Sequence, residues 1–246
     1  MVTTVSSALS RLSVVLVRTR NPLNIGAAAR AMSNFGFSDL RLVEAYAPSL
    51  DEARSAVGAT ELLKTARNFS SVSDAVADCN LVVGTTAGRN RELHQPLRDL
   101  PSAVPELIEA LASGRVAVLF GSEKIGLKNE ELSYCQQVLR IPTVETNVSM
   151  NLGQAVAVCL YQLSAYRTPD VLSKPRSSEL AASGQLERIS HLLLELLLET
   201  DYTQPHTQSA VEEKVRRLIR RMQLNHEDAE LWMGMLRQIQ WRIRKP

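Results

Sequence analysis

Short apolar runs alternating with helical patterns constrain this chain more than any other feature of its sequence. Leu12–Val17 (LSVVLV) is β-branched and too short for a helix, and Leu40–Val43, Leu81–Gly84, Val116–Phe120 and Val138–Ile141 are further short, largely apolar runs. Runs of this kind read as buried strands. Between them lie stretches with helical spacing. Ile25, Ala28, Ala29 and Met32 share a face in Ile25–Asn34, and Gly36 follows as a C-cap. Ser55–Ala66, Ser73–Asp78 (with a serine cap), Pro101–Ser113 before Gly114, Lys128–Cys135 and the apolar Leu152–Tyr166 complete the series. Strands alternating with helices predict an α/β domain whose parallel sheet carries helices on both faces.

Three glycine- and asparagine-centred segments sit at the ends of apolar runs. They are Asn24–Arg30 (NIGAAAR), Leu119–Leu127 (LFGSEKIGL) and Ile141–Leu152 (IPTVETNVSMNL). In an open α/β sheet, ligands bind at such strand-to-helix turns, so one site built from three distant loops is expected. Gly121 and Gly126 either let the backbone approach a ligand and adopt positive φ or simply turn the chain. Arg30 stands out on a stretch of small apolar residues, Ala27 to Ala31, although an arginine there can carry its charge out to solvent.

Composition narrows the function classes. The 246 residues leave room for one α/β domain and a small appendage. No stretch approaches the ~20 apolar residues of a membrane span, and no signal peptide is evident at the N-terminus. A cytoplasmic protein with no membrane association is the expectation. Cys79, Cys135 and Cys159 are isolated and the four histidines form no zinc pattern, so buried thiols and no metal are expected. Thr168–Ser183, rich in Pro, Ser, Lys and Arg, reads as a linker. Three helical patterns follow, Gly184–Leu198, Gln208–Met222 and Asp228–Trp241, the last with Asn225 as N-cap. In the second, Val211, Val215, Leu218, Ile219 and Met222 form an apolar face, and Lys214, Arg217 and Arg221 stand on another. A locally basic helix is a sign of nucleic-acid binding, and it also serves plain solubility.

The three segments resemble the signature motifs of the SPOUT superfamily of RNA methyltransferases, in its SpoU (TrmH-like) branch. Val14–Gly36 is similar to the first motif of the TrmJ subfamily, as are Leu81–Ala87 (LVVGTTA) and the basic Lys214–Leu218 (KVRRL) of the C-terminal helices. The resemblance runs from about residue 12 to 241. It implies S-adenosyl-L-methionine as methyl donor and a tRNA 2′-hydroxyl as acceptor, with nucleotide 32 of the anticodon loop as the expected target. It also implies a C-terminal trefoil knot in the α/β domain and a homodimer. The expected organisation is a SPOUT domain over 1–167, a linker over 168–183 and a small all-α RNA-binding domain over 184–246.

By the same resemblance the cofactor pocket is lined by Thr85, Thr86, Ala87, Leu119, Gly121, Gly126, Ile141, Val148, Ser149 and Met150. Ile141 and Met150 would wall the adenine, and they are equally compatible with a place in the core. The family reading makes Arg30 the residue that activates the ribose hydroxyl. A guanidinium stays protonated up to pH ~12, so holding a phosphate or stabilising an alkoxide are alternatives to acting as a base. Asn24 is placed either to orient the ribose or Arg30, or to cap the helix. Glu123 either orders Arg30 or an incoming group, or is a surface glutamate. Asn151, able to donate and accept, and Ser149 are expected near the methyl donor, and Ser149 could also cap the next helix. Arg18, Arg20, Lys214, Arg217 and Arg221 are candidate phosphate contacts. Gly153 is expected to permit close packing across a dimer.

Two other readings compete within this frame. One is a SpoU-type enzyme acting on ribosomal RNA; the short segment before Leu12 and the C-terminal helices favour tRNA over it. The other is a non-catalytic RNA-binding protein on a methyltransferase scaffold, which predicts loss of Arg30 or the glycines, and these are present. A dinucleotide-binding oxidoreductase needs Gly-x-Gly-x-x-Gly after the first strand, and Val17–Gly26 has no such pattern.

Overall fold

All five apolar runs become strands, and two short strands join them at the edges. The computed structural model describes residues 9–45, 58–87, 93–166, 180–204 and 207–245. Its strands are β1 (Leu12–Val17), β2 (Asp39–Val43), β3 (Arg67–Phe69), β4 (Leu81–Thr86), β5 (Leu97–Asp99), β6 (Val116–Phe120) and β7 (Gln137–Arg140). They form one sheet in the order β3-β2-β1-β6-β4-β7-β5, each neighbouring pair parallel. The sequence reading missed β3 and β5. Each has three mostly polar residues, and a short polar strand is what an exposed sheet edge favours.

Both faces of the sheet are covered, and the two-residue period of a strand sorts side chains between them. Val14 and Leu16 join one core with Leu81, Val83, Val116, Val118, Phe120 and Leu139. Val15 and Val17 join the other with Val82, Ala117, Leu119 and Val138. Over the first face pack α1 (Pro22–Phe35), α4 (Leu100–Ser113) and α6 (Leu152–Ala165), together with α2 (Thr60–Lys64). Over the second lie α3 (Val72–Val76) and α5 (Asn129–Leu132). Residues 55–57 of the helix expected over Ser55–Ala66 fall outside the described residues.

Helix starts differ from expectation in ways that matter for the site. Helix α1 begins three residues early, with Pro22 in its first turn and Asn21 as cap, accepting from the Leu23 amide at 3.0 Å. Asn24 is therefore not a cap. Helix α6 is capped by Asn151, whose Oδ1 accepts from the Gly153 amide at 2.9 Å and that of Gln154 at 3.4 Å, so Ser149 does not cap it. A Cβ on Gly153 would stand 2.5 Å from the Ala27 Cβ of the same chain. This glycine thus serves the packing of α6 on α1 within one chain, which corrects the expected role across a dimer.

The C-terminal helices α7 (Ser183–Glu199), α8 (Gln208–Arg221) and α9 (His226–Arg244) enclose a core of their own around Leu186, Ile189, Val215, Ile219, Ala229, Met233 and Leu236. Residues 168–179 of the expected linker are outside the described residues. Its described end is fastened: the Ser183 amide donates to Cys79 O at 2.7 Å, and Asn80 Nδ2 donates to Leu180 O at 2.6 Å.

Helix α8 departs from the sequence pattern. Its buried residues are Val215, Arg216, Ile219 and Arg220, whereas Leu218 and Met222 are exposed. Arg216 donates to both Glu187 carboxylate oxygens at 3.0–3.1 Å and to Ser133 Oγ at 3.0 Å, and lies over the Tyr134 ring, 4.2 Å from its centroid. Arg220 reaches Ser183 Oγ at 2.7 Å and Glu187 at 3.4 Å. Burial pushes the Arg220 pKa down to about 10 against the opposing charge of Glu187. These two arginines join α7 and α8 to the segment after α5.

A second buried ion cluster lies on β2. Arg41 is almost fully buried and bonds both Asp39, at 2.7 Å, and Asp78, at 2.5 Å. Burial alone would raise the Asp39 pKa, but hydrogen bonds from Arg41, Ser13 and Arg67 outweigh it and hold the group down to about 2. The three cysteines are free and buried, and burial pushes each thiol up to about 12. Among the described residues no helix is long and apolar enough to cross a membrane.

Candidate active site

The C-terminal ends of β4, β6 and β7 open into a cleft of about 610 Å³. Its walls come from the three segments singled out in the sequence. Thr85, Thr86 and Ala87 follow β4, and the loop from Phe120 to Leu127 follows β6. Ile141 and the stretch Val148–Leu152 follow β7, with Ala155 of α6 and Asn24 of α1 completing the wall. Of the residues expected to line a cofactor pocket, Leu119 alone does not. Its side chain lies in the second core, and its carbonyl accepts from Thr85 Oγ1 at 2.8 Å. Leu119 therefore positions Thr85 from behind the wall.

The loop after β6 folds on itself. The Gly126 amide donates to Ser122 O at 2.8 Å, and Gly126 has φ +66°, a conformation that favours glycine. A Cβ on Gly121 would lie 2.1 Å from the Gly126 carbonyl carbon. Gly126 thus permits the turn and Gly121 permits its closure, so both glycines shape the loop that faces the cleft. Sequence reasoning missed Leu139 as a lining residue. It sits two positions before Ile141, and the two-residue period of a strand places it on the same face.

At the rim, side chains from all three segments meet. Asn151 Nδ2 donates to Asn24 Oδ1 at 2.9 Å, and Asn24 Nδ2 donates to Glu123 Oε1 at 2.8 Å. Because Asn151 Oδ1 receives the first amides of α6, its Nδ2 must point outward, and the direction of every bond in the chain follows. Asn24 is buried and Glu123 is exposed. Glu123 keeps one carboxylate oxygen without a partner among the described residues. Its observed partner is Asn24 and not Arg30.

Arg30 lies outside this network. Six residues along a helix amount to about 120° of rotation, and Arg30 is exposed while Asn24 is buried. It has no hydrogen bond or ion pair among the described residues.

Arg18, expected to meet RNA, is committed elsewhere. Its guanidinium takes Glu131 in two bonds, at 2.6 and 2.9 Å, and donates to Gly126 O at 3.3 Å. The hydrogen bond to Glu131 raises its pKa against the effect of burial. Its backbone is held at φ +53° by its amide's bond to Val43 O at 2.8 Å. Glu131 also accepts from the Lys128 amide at 2.5 Å, so the pair fastens the exit of the glycine loop. Arg20, Lys214 and Arg221 are exposed. Arg217 is half-buried and paired with Glu213 at 3.3 Å.

The model of the SpoU rRNA methylase family matches residues 11–161, from β1 into α6 and across the whole cleft. The chain belongs to this family. Its likeness to individual SpoU methylases extends beyond the matched segment. It is 36% identical to the tRNA (cytidine/uridine/adenosine-2′-O-)-methyltransferase TrmJ of Pseudomonas aeruginosa, over 94% of this chain and 95% of that one. It is 35% identical to an uncharacterised tRNA/rRNA methyltransferase of Haemophilus influenzae, over 96% and 97%. The crystal structure of TrmJ from Z. mobilis ZM4 superposes with a TM-score of 0.82 at 30% identity, covering 93% of this chain and 98% of that one. Coverage of that extent includes the C-terminal helices, and the chain is an RNA methylase of the SpoU type.

Proposed function

We propose that the protein transfers a methyl group from S-adenosylmethionine to a ribose 2′-hydroxyl of tRNA, with nucleotide 32 of the anticodon loop as the target. The hydrogen-bonded chain Asn151–Asn24–Glu123 carries this reading, because it fixes helix α1, the loop after β6 and the start of α6 around one cleft and leaves a carboxylate oxygen free at the rim. Relatives named as tRNA 2′-O-methyltransferases support the substrate class.

The cleft suits the cofactor. Its volume is ordinary for a small-molecule site. Leu139, Ile141, Val148 and Met150 give it an apolar side for an adenine, and the glycine loop offers backbone groups on the other. When bound, S-adenosylmethionine supplies an electrophilic methyl group. The chain's own work is positioning. Thr85–Ala87 and the loop from Gly121 to Leu127 hold the donor, and Asn24 and Asn151 orient the rim. Glu123 receives the hydroxyl with its free oxygen. Arg30, charged at neutral pH, meets the phosphate or the developing alkoxide as the ribose arrives.

Lys214 and Arg221 on the outer side of α8, with Arg20 and Arg217, contact tRNA phosphates. Residues 184–246 act as an RNA-binding domain behind the 168–183 linker. The α/β domain closes with a trefoil knot, a reading in keeping with the return of the chain from β7, inside the sheet, to pack α6 on α1. The protein works as a cytoplasmic homodimer without a metal.

The test is methyl transfer from labelled S-adenosylmethionine to unmodified bulk tRNA and, separately, to ribosomal RNA, followed by mapping of the label. Label on an anticodon-loop ribose, lost about 100-fold or more in Arg30→Ala, is expected. Label only on ribosomal RNA would overturn the substrate and keep the chemistry.

A further inference from the structure

Arg18 reaches from the end of β1 to the loop that follows β6. That loop exposes Glu123, Lys124 and Ile125, and its return, Gly126 and Leu127, lines the cleft. Arg18 and Glu131 of α5 do not line it, yet their side chains are only 13% and 10% exposed. The Arg18 guanidinium meets the Glu131 carboxylate edge to edge, Nε on Oε1 at 2.6 Å and Nη2 on Oε2 at 2.9 Å. The second hydrogen of Nη2 goes to Gly126 O at 3.3 Å. Glu131 Oε2 also accepts from the Lys128 amide at 2.5 Å. One ion pair therefore holds both peptides that flank Leu127, one by its carbonyl and the other by its N–H.

Holding those peptides orients a donor on the cleft wall. In a trans peptide the N–H points opposite to the C=O, so the Gly126 carbonyl turned to Arg18 turns the Leu127 N–H away from it. The Leu127 nitrogen stands 2.2 Å from where a Cβ on Gly121 would be, and its hydrogen has no acceptor among the described residues. Arg18 itself has φ +53°, and its amide donates to Val43 O at 2.8 Å. Glycine adopts that backbone more easily. Only the planar fork of arginine, however, gives the carboxylate and the carbonyl three bonds at once.

We propose that Arg18 is a positioning residue for S-adenosylmethionine. Through Glu131 and Gly126 O it holds the peptides around Leu127, so that the Leu127 amide is presented to an acceptor atom of the cofactor. Arg18 touches neither the cofactor nor the RNA. Its effect is preorganisation, because a loop already in its bound shape loses less freedom on binding. The inference rests on the reading of the cleft as the cofactor site, and binding by the unaltered chain tests that reading separately.

S-adenosylhomocysteine, the demethylated cofactor, is titrated calorimetrically into the full chain without RNA. Thermal melts, filter retention of tRNA and methyl transfer at varied cofactor concentration are measured beside it. Arg18→Gly removes the fork and relieves the backbone, so its Tm should stay within about 4 °C of the wild type. Its Kd for S-adenosylhomocysteine should nonetheless rise about tenfold. The KM for S-adenosylmethionine should rise by a similar factor, with kcat at saturation within about twofold. Arg18→Lys keeps a cation beside Glu131 without the fork, so it should hold wild-type stability and still bind weakly, which carries the test even if Arg18→Gly fails to fold. Glu131→Gln should match Arg18→Gly in affinity, and the double variant should be no weaker than either alone. Unchanged affinity in Arg18→Gly, wild-type affinity in Arg18→Lys, or additive losses in the double variant would each overturn the proposal. So would loss of tRNA retention with cofactor affinity intact, which would return Arg18 to phosphate contact. A wild-type chain that binds no cofactor would overturn the reading of the cleft itself.

Discussion

Two polar assemblies tie distant parts of this chain together, and they do so with opposite chemistry. At the rim of the cleft, Asn151, Asn24 and Glu123 join the start of α6, helix α1 and the loop after β6 through neutral amides and one exposed carboxylate. At the junction with the C-terminal helices, Glu187, Arg216 and Arg220 join α7, α8 and the segment after α5 through buried ions. The rim network leaves bonding capacity unused and faces a cavity. The junction pairs its carboxylate fully and faces no ligand. Polar groups held with capacity to spare are available to a substrate, whereas ions buried against each other are part of the framework.

Removing one partner separates the two most sharply. Glu187→Ala should destabilise the protein by about 3–5 kcal/mol, because the buried Arg220 guanidinium loses its counter-ion and Arg216 keeps only Glu212 at the edge of α8. Denaturant unfolding measures it, and a loss under 1 kcal/mol would place the junction among ordinary surface pairs. Arg220→Met keeps the volume and removes a costly buried charge, so it should change stability by no more than about 1 kcal/mol.

At the rim the order reverses. Asn24→Ala should lower methyl transfer about 100-fold while costing about 1 kcal/mol of stability. Equal losses of activity and stability would turn the rim into framework as well.

The Arg41 cluster adds a pH test within the framework. The Asp39 carboxyl, held down to about 2, binds fewer protons folded than unfolded. Its contribution, about 2 kcal/mol, is present above pH 4 and lost as pH falls from about 4 to 2. Thermal melts of the wild type and Asp39→Asn across that window should converge at the acid end. The smallest effect belongs to the exposed cations. Lys214→Ala and Arg221→Ala should leave stability within about 0.5 kcal/mol and each reduce the salt slope of tRNA binding by about 1.

Much of the cleft was legible in the sequence because its parts are local. A buried parallel strand announces itself as a β-branched run, and Gly126 supplies a backbone conformation that few other residues adopt. The order of the three motifs therefore located the loops and most of their lining residues. Pairings between distant side chains were not legible. Asn24 matched a helix cap equally well until Asn21 was seen to fill that place. Arg18 looked like a phosphate contact because nothing in sequence brings Glu131, over a hundred residues away, to its side.

The arginines of α8 make the same point. Helical spacing placed Lys214, Arg217 and Arg221 on one side and an apolar stripe on another, and the structure turns the helix so that Arg216 and Arg220 go inward. By itself the sequence determined which segments are strands and helices, that the sheet is parallel, and where the chain turns. Those properties depend on period, on β-branching and on glycine, all of which act within a few residues. Tertiary structure alone decided which polar groups are spent on each other and which remain for a ligand. That choice depends on burial and on partners far along the chain, and no local pattern encodes it.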